Sequence, residues 1–299
     1  MSKTIVGCII LLAFLWGLGP RLASADEPEP TSESTDIAYL NLGAGLGITD
    51  YFEFLDTEPV DSSAFTANFA FSADATVRWK RLGLLARADW VPGSFYGREQ
   101  WTSHGDTLQK NDLSYEYLHS VTGAGWVLSN GLEPYLGYWY ANAKQTRTDF
   151  SPSAVTFSKS IEKIRSVGFA AGVQGVYYNS QESTLRNFYG DVIVPTRATV
   201  TNSVIPGVEL HSGGIGIEGG GTFGKTYGLG PSKMVASVGG DLFLIYYNGQ
   251  VRHDVPGFST VEWPSNLSYG IAIMFKLGGA WLPATAPGSD SKSSAVSHP

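Results

Sequence analysis

The residues whose spacing comes nearest to a catalytic arrangement are Glu209 and His211, in the run Glu209-Leu210-His211-Ser212. On an extended strand, positions i and i+2 share a face, so the carboxylate could orient the imidazole as a general base. Ser212 points the other way unless the following Gly213-Gly214 distorts the strand. A surface or pore-lining histidine is the plainer reading of the same residues. His253-Asp254 is adjacent rather than alternate, and His104, His119 and His298 are scattered without ligand spacing, so no metal site is proposed. Gly43-x-Gly45-x-Gly47 and the glycines from Gly213 to Gly221 look like fragments of phosphate loops, but neither opens a helix after a strand. The acidic set Asp50, Glu53, Asp56, Glu58 and Asp61 fits no calcium loop. No cofactor is implied.

A second group of charges matters more for what it would line. Asp74, Arg78, Arg87, Asp89, Glu116, Glu218, Asp241 and Lys276 are isolated charges within stretches of alternating hydrophobicity. Each falls on the face opposite the large apolar side chains. Two readings stand: opposite charges pair inside a narrow interior, or they ring a selective pore.

The elements that would position these residues are strands. From Phe65 to Trp79 every odd position is apolar or aromatic, and the even positions are small or polar, with Asp74 and Arg78 among them. After Lys80-Arg81 the pattern resumes with Leu82, Leu84, Ala86, Ala88 and Trp90 on one face, and Arg87 and Asp89 on the other. Ala38 to Ile48 and Tyr269 to Leu277 alternate in the same way. Further strands are expected at 113–128, 133–147, 162–178, 205–223 and 234–248, with a weaker one at 184–200, and Asn130-Gly131 is a turn signal. Short turns near 80–82, 129–132 and 179–183 alternate with long polar loops near 49–62, 97–111, 148–160 and 249–266.

The ends carry different information. Lys3, the apolar run Ile5 to Leu18 and the small-residue site Ala23-Ser24-Ala25 read as a secretory signal peptide, followed at once by acidic, Pro-rich sequence. Cleavage after Ala25 removes Cys8, the one cysteine, and with it any disulfide or cysteine-based chemistry. It also removes Lys3 and Arg21, taking the net charge from −7 to −9, which argues against nucleic acid as a partner. No later apolar stretch is long enough for a spanning helix. Residues 1–25 are thus assigned to the signal, 26–35 to a flexible segment, 36–281 to a β-barrel and 282–299 to a flexible tail.

Alternation alone fits a soluble β-protein as well, with the apolar face turned in. Three features favour a membrane barrel. The strands, at 12–15 residues, exceed what a tilted strand needs to cross a bilayer. Aromatics stand toward the ends of the apolar faces: Phe65, Trp79, Trp90, Tyr115, Tyr117, Tyr177, Tyr246 and Tyr269. The polar faces are rich in Gly, Ala, Ser and Thr, as a crowded lumen requires. The chain resembles bacterial outer-membrane β-barrel proteins, in the broad sense of the OmpA-like and small-porin classes, over residues 36–281. It departs from them in carrying a tail after Phe275, where such chains commonly end on a terminal aromatic. Among barrels of that membrane are proteases of the omptin type and lipid A deacylases; the His-x-Ser spacing of the latter and the paired aspartates of the former are not matched here.

The expectation is an all-β, antiparallel up-and-down transmembrane barrel of about ten strands, with eight to twelve allowed, in the bacterial outer membrane. It would be a structural or surface-exposed protein or a narrow passive channel for small solutes. The alternatives are an outer-membrane hydrolase acting on lipid A or peptides, and a soluble periplasmic or secreted β-protein. Its expected partners are outer-membrane lipid and lipopolysaccharide; the sequence does not fix an oligomeric state. N-terminal sequencing of the protein from a membrane fraction is expected to start at Asp26, and a retained Met1 would refute the cleavage assigned here.

Overall fold

A computed structural model describes residues 36–55, 59–152, 157–228 and 231–282. The expected signal peptide, the segment before Asp36, the tail after Leu282 and two acidic residues, Asp56 and Glu58, lie outside the described residues. The strands are β1 (Ile37–Phe54), β2 (Val60–Trp79), β3 (Leu82–Val91), β4 (Ser94–Ser103), β5 (Asp106–Trp126), β6 (Leu132–Ser151) and β7 (Lys159–Asn179). They continue with β8 (Thr184–Asn202), β9 (Glu209–Ser212), β10 (Gly214–Tyr227), β11 (Ser232–Tyr247), β12 (Gln250–Arg252), β13 (Val261–Trp263) and β14 (Ser265–Trp281).

Every neighbour pair is antiparallel, and the sheet closes on itself because β1 pairs with both β2 and β14. β4 continues the line of β3 between β2 and β5, and β9 continues β10 beside β8. Ten staves result. The even number brings the start of β1 and the end of β14 to one rim, where Ala38 faces Trp281. We call this the terminal rim and the opposite one the loop rim.

Which face points inward separates the two readings left by alternation. Leu42, Leu46, Phe69, Phe275 and Leu277 are more than half exposed, and Ile273 is 67% exposed. Their polar neighbours are buried: Asn41 at 1%, Asp74 at 4% and Lys276 at 1%. A soluble barrel would show the reverse. On β14 the apolar outer face runs from Tyr269 to Trp281, about 40 Å along the strand and about 30 Å after tilt, enough to cross a hydrocarbon core. Trp79, Trp126 and Trp281 mark its terminal edge, and Phe65 and Tyr269 its loop edge.

Several expectations need correcting. Among the described residues, 49–62, 97–111 and 148–160 are mostly strand rather than long loops. β1 runs on to Phe54, β4 and β5 turn tightly through His104-Gly105 with both residues at positive φ, and β6 runs to Ser151. Polar side chains do not stop a strand whose backbone groups are already paired across a hairpin, and the walls therefore rise beyond the apolar belt. The strand expected at 205–223 is broken: Ser203–Val208 turns, and Gly213 separates β9 from β10. The weak segment at 184–200 is a full stave, with Pro195 beside the register shift against Val167 and Gly168. Tyr115 and Tyr117 face the interior, at 3% and 6% exposure. Parity then sends Glu116 outward.

One seam needs a side chain to close it. β3 and β4 are separated by Pro92-Gly93, and the ladder to β5 is interrupted between Val91↔Tyr117 and Arg98↔Asp112. The Ser94 hydroxyl sits in this gap, accepting from the Tyr115 N–H at 3.0 Å and donating to its carbonyl at 3.4 Å. In a bilayer, where water cannot substitute, unpaired backbone groups are costly.

Ile273→Arg is expected to destabilise the protein folded in lipid vesicles by about 2–4 kcal/mol, the range for a cation at the midplane of a barrel's lipid face. Urea unfolding in vesicles measures this; a loss below 0.5 kcal/mol would place that face in water.

Candidate functional site

The interior is filled by side chains in successive layers. At the terminal rim Ile37, Tyr39, Val176, Leu185, Val235 and Leu282 form an apolar cluster. Beside it Arg78 Nε meets Glu133 Oε2 at 2.8 Å, and Arg78 Nη1 donates to the Val176 carbonyl at 3.2 Å. Gly83 and Gly125 make room for this pair. A Cβ on either would fall 2.0 Å and 2.7 Å from the Glu133 side chain.

The middle of the lumen carries a linked polar network. Lys276 Nζ lies 2.7 Å from Asp74 and 3.2 Å from Asp241, and Tyr189 Oη donates to Asp241 at 2.8 Å. The Tyr189 ring lies 3.8 Å from the Arg87 guanidinium, which in turn donates to Asp191 and to the Tyr135 hydroxyl. Tyr135 donates to the same Asp191. His119 Nε2 stands between Asp89 at 3.0 Å and Glu218 at 3.3 Å, and Trp139 Nε1 donates to Glu218 at 3.2 Å.

Above this the lumen is aromatic and aliphatic: Tyr115, Tyr117, Phe243, Ile245 and Tyr247. The segment after β11 folds onto the same cluster. Its β12–β13 hairpin brings Val261 and Trp263 to burial, with the Trp263 ring 5.8 Å from Tyr247. Outside this fold Arg252 pairs with Asp254 at 2.7 Å, holding that carboxyl below its ordinary range. Near the loop rim Arg147 is surrounded by Glu99 at 2.7 Å, Glu53 at 3.2 Å and Glu162 at 3.8 Å. Ser62 and Asn111 each donate to Glu99 at 2.9 Å.

Of the charges expected in the lumen, the structure brings Asp74, Lys276 and Asp241 together, and Arg87 stands near them through Tyr189. Asp89 and Glu218 meet on His119, and Arg78 stands apart at the terminal rim. Glu116 is the correction: it faces outward, 41% exposed, paired with Lys144 at 2.6 Å. Glu209 and His211 also point outward, because the residue between them, Leu210, faces in at 4% exposure. The His211 ring lies 3.4 Å from the Thr199 hydroxyl.

The partners missed from sequence are Glu133, Asp191, Glu53, Glu99, Arg147 and Glu162. Glu133, Tyr135, Trp139 and Arg147 share one parity on β6, so that strand's alternation, carried through, reaches two of them.

No protein-family model matches the sequence, and comparison with the curated proteins finds no relative. Among solved structures, the outer membrane protease OmpT from Escherichia coli aligns over 85% of this chain and 99% of its own, with a TM-score of 0.52 and 9% identity. The chain shares the closed, antiparallel β-barrel fold of that structure. The β domain of the Bordetella autotransporter BrkA aligns over 84% of this chain and 100% of its own at 10% identity, with a TM-score of 0.34. The translocator domain of the autotransporter NalP from Neisseria meningitidis aligns over 93% and 97% at 10% identity, with a TM-score of 0.31. At these identities the likeness concerns the fold of the barrel and no more.

Lys276→Met would leave Asp74 and Asp241 facing each other without their cation. The barrel is expected to lose about 3–5 kcal/mol, the cost of stranding a buried charge. Adding Asp74→Asn should restore part of the loss. Urea midpoints in vesicles test both, and equal stability of Lys276→Met and wild type would refute the pairing.

Proposed function

We propose that this chain is a non-catalytic, surface-exposed outer-membrane protein with a sealed lumen, presenting its loop rim to the outside. The observation that carries the reading is the burial of charges at three heights: Arg78 with Glu133, Lys276 with Asp74, and Arg147 with Glu99, each side chain 7% exposed or less. A water-filled path would expose the groups it passes. The voids that remain are small. One of about 40 Å³ is lined by Asn68, Ala70, Tyr117, His119, Phe243 and Met274, among others, room for roughly three waters and not for a hydrated solute stream.

Catalysis has less support. Glu209 and His211 stand exposed on the outer wall and line neither interior void, and His119, the buried imidazole, is held between two carboxylates beside a void too small for a polymeric or lipid substrate.

The start of β1 and the end of β14 on one rim fit a periplasmic entry and exit of the barrel, with the taller walls projecting outside. Reconstitution of the folded protein in planar bilayers tests the proposal. Flat current traces up to the voltage at which the bilayer itself fails are expected. Stepwise, ion-selective conductance from heat-modifiable protein would overturn it in favour of a narrow passive channel.

A further inference from the structure

Beyond a sealed barrel, and resting on the outer-membrane reading, we propose that the outer wall formed by β6, β7 and β8 binds the phosphorylated headgroup of an outer-leaflet glycolipid. Four cations point outward from these strands immediately beyond the apolar belt: Lys144, Lys163, Arg165 and Arg197. The register sets Lys144 directly opposite Lys163, Arg165 opposite Asn142 and Thr199, and Arg197 opposite Val167. Strand geometry separates Arg165 from Lys163 by about 7 Å and from Arg197 by about 8 Å, so their long side chains can meet on one anionic group.

Lys144 is held by Glu116 at 2.6 Å. Lys163, Arg165 and Arg197 are exposed and make no hydrogen bond or ion pair among the described residues. Like charges directly across a strand pair destabilise it, and this chain is acidic overall, at −7. A cluster of cations left without carboxylates on such a chain is the complement of an external polyanion. The nearest further acid on this wall is Glu209, across Thr201 at the far edge of the patch.

What lies below the patch identifies the kind of anion. Phe169 is 64% exposed, and Val194 and Tyr138 stand beside it on the same outer face, all within the belt. An occupant must therefore present phosphate at the level of Arg165 and hydrocarbon about 10 Å deeper, four residues along the tilted strand. A phosphorylated glycolipid of the outer leaflet does both. Arg165 and Arg197 suit phosphate by bidentate hydrogen bonding, Lys163 acts as a point charge, and Asn142 offers an uncharged amide beside them.

The test uses the full barrel folded in detergent, with folding checked by its gel shift on boiling, and labelled bisphosphorylated lipid A as the probe. Wild type is expected to bind it at least about tenfold more tightly than it binds the dephosphorylated lipid. Lys163→Gln/Arg165→Gln/Arg197→Gln should lose about that factor, and Arg165→Gln alone about threefold. Lys233→Gln, at the terminal rim, should lose nothing. Millimolar pyrophosphate should leave the lipid bound. Equal binding by the triple variant, or equal binding of the dephosphorylated lipid, overturns the site while the barrel stands. Displacement by micromolar pyrophosphate would make it a free-anion site instead and overturn the lipid assignment. Absence of the gel shift in wild type strikes the outer-membrane reading itself.

Discussion

Hydrocarbon offers no hydrogen bonds, so every backbone N–H and C=O that enters it must find a partner within the protein. For a chain built of strands the only complete solution is a sheet without edges, and this one has none around the barrel because β1 holds β2 on one side and β14 on the other. The remaining features follow from that closure. An even number of staves puts the chain ends on one rim. Ten staves give an interior narrow enough for side chains to fill from wall to wall. Where β3 gives way to β4 the ladder would open within the wall, and a serine hydroxyl stands in for the missing backbone pair.

Closure also creates the second constraint, an interior screened from both lipid and water. Polar side chains there must satisfy one another. The network around Lys276, Asp241, Tyr189 and Arg87 pairs its charges by drawing on strands from the whole circumference, from β2 through β14, although Arg87 Nη1 stays without a partner. Glycines opposite Glu133 show how tightly this is packed, since a methyl group at Gly83 has no place beside it. Such packing leaves a void of about 40 Å³ beside His119.

The fold was legible because a barrel wall has a period of two and its two sides face different media. The run from Phe65 to Trp79 displays both media residue by residue, and the structure turns it as the alternation requires. Reading failed where that contrast vanishes. Beyond the belt both faces of a strand meet polar surroundings, so Asp50 to Phe54 and Gly97 to Ser103 look like loop although they are paired. Aromatics mislead for a related reason: a tyrosine suits the membrane interface and a packed lumen equally, and Tyr115 and Tyr117 took the second place, carrying Glu116 outward with the parity. Pairing between charges was beyond reach of pattern alone. Arg87 and Asp191 lie 104 positions apart, and only the order of staves around the barrel brings them together.

That separation has a consequence for how the chain reaches its final form. Lys276 and Asp74 are 202 positions apart and belong to staves flanking β1 at the meeting of the two chain ends. Neither can be neutralised by the other until the last stave arrives. Before then the interior charges stand in water and favour an open, hydrated chain; afterwards they are sealed from it and hold the seam shut. The same residues thus work against early collapse and, once the circle is complete, against reopening. Loop-closure entropy makes contacts of this range the slowest to form, so ordering of the lumen and joining of the wall arrive as one late event.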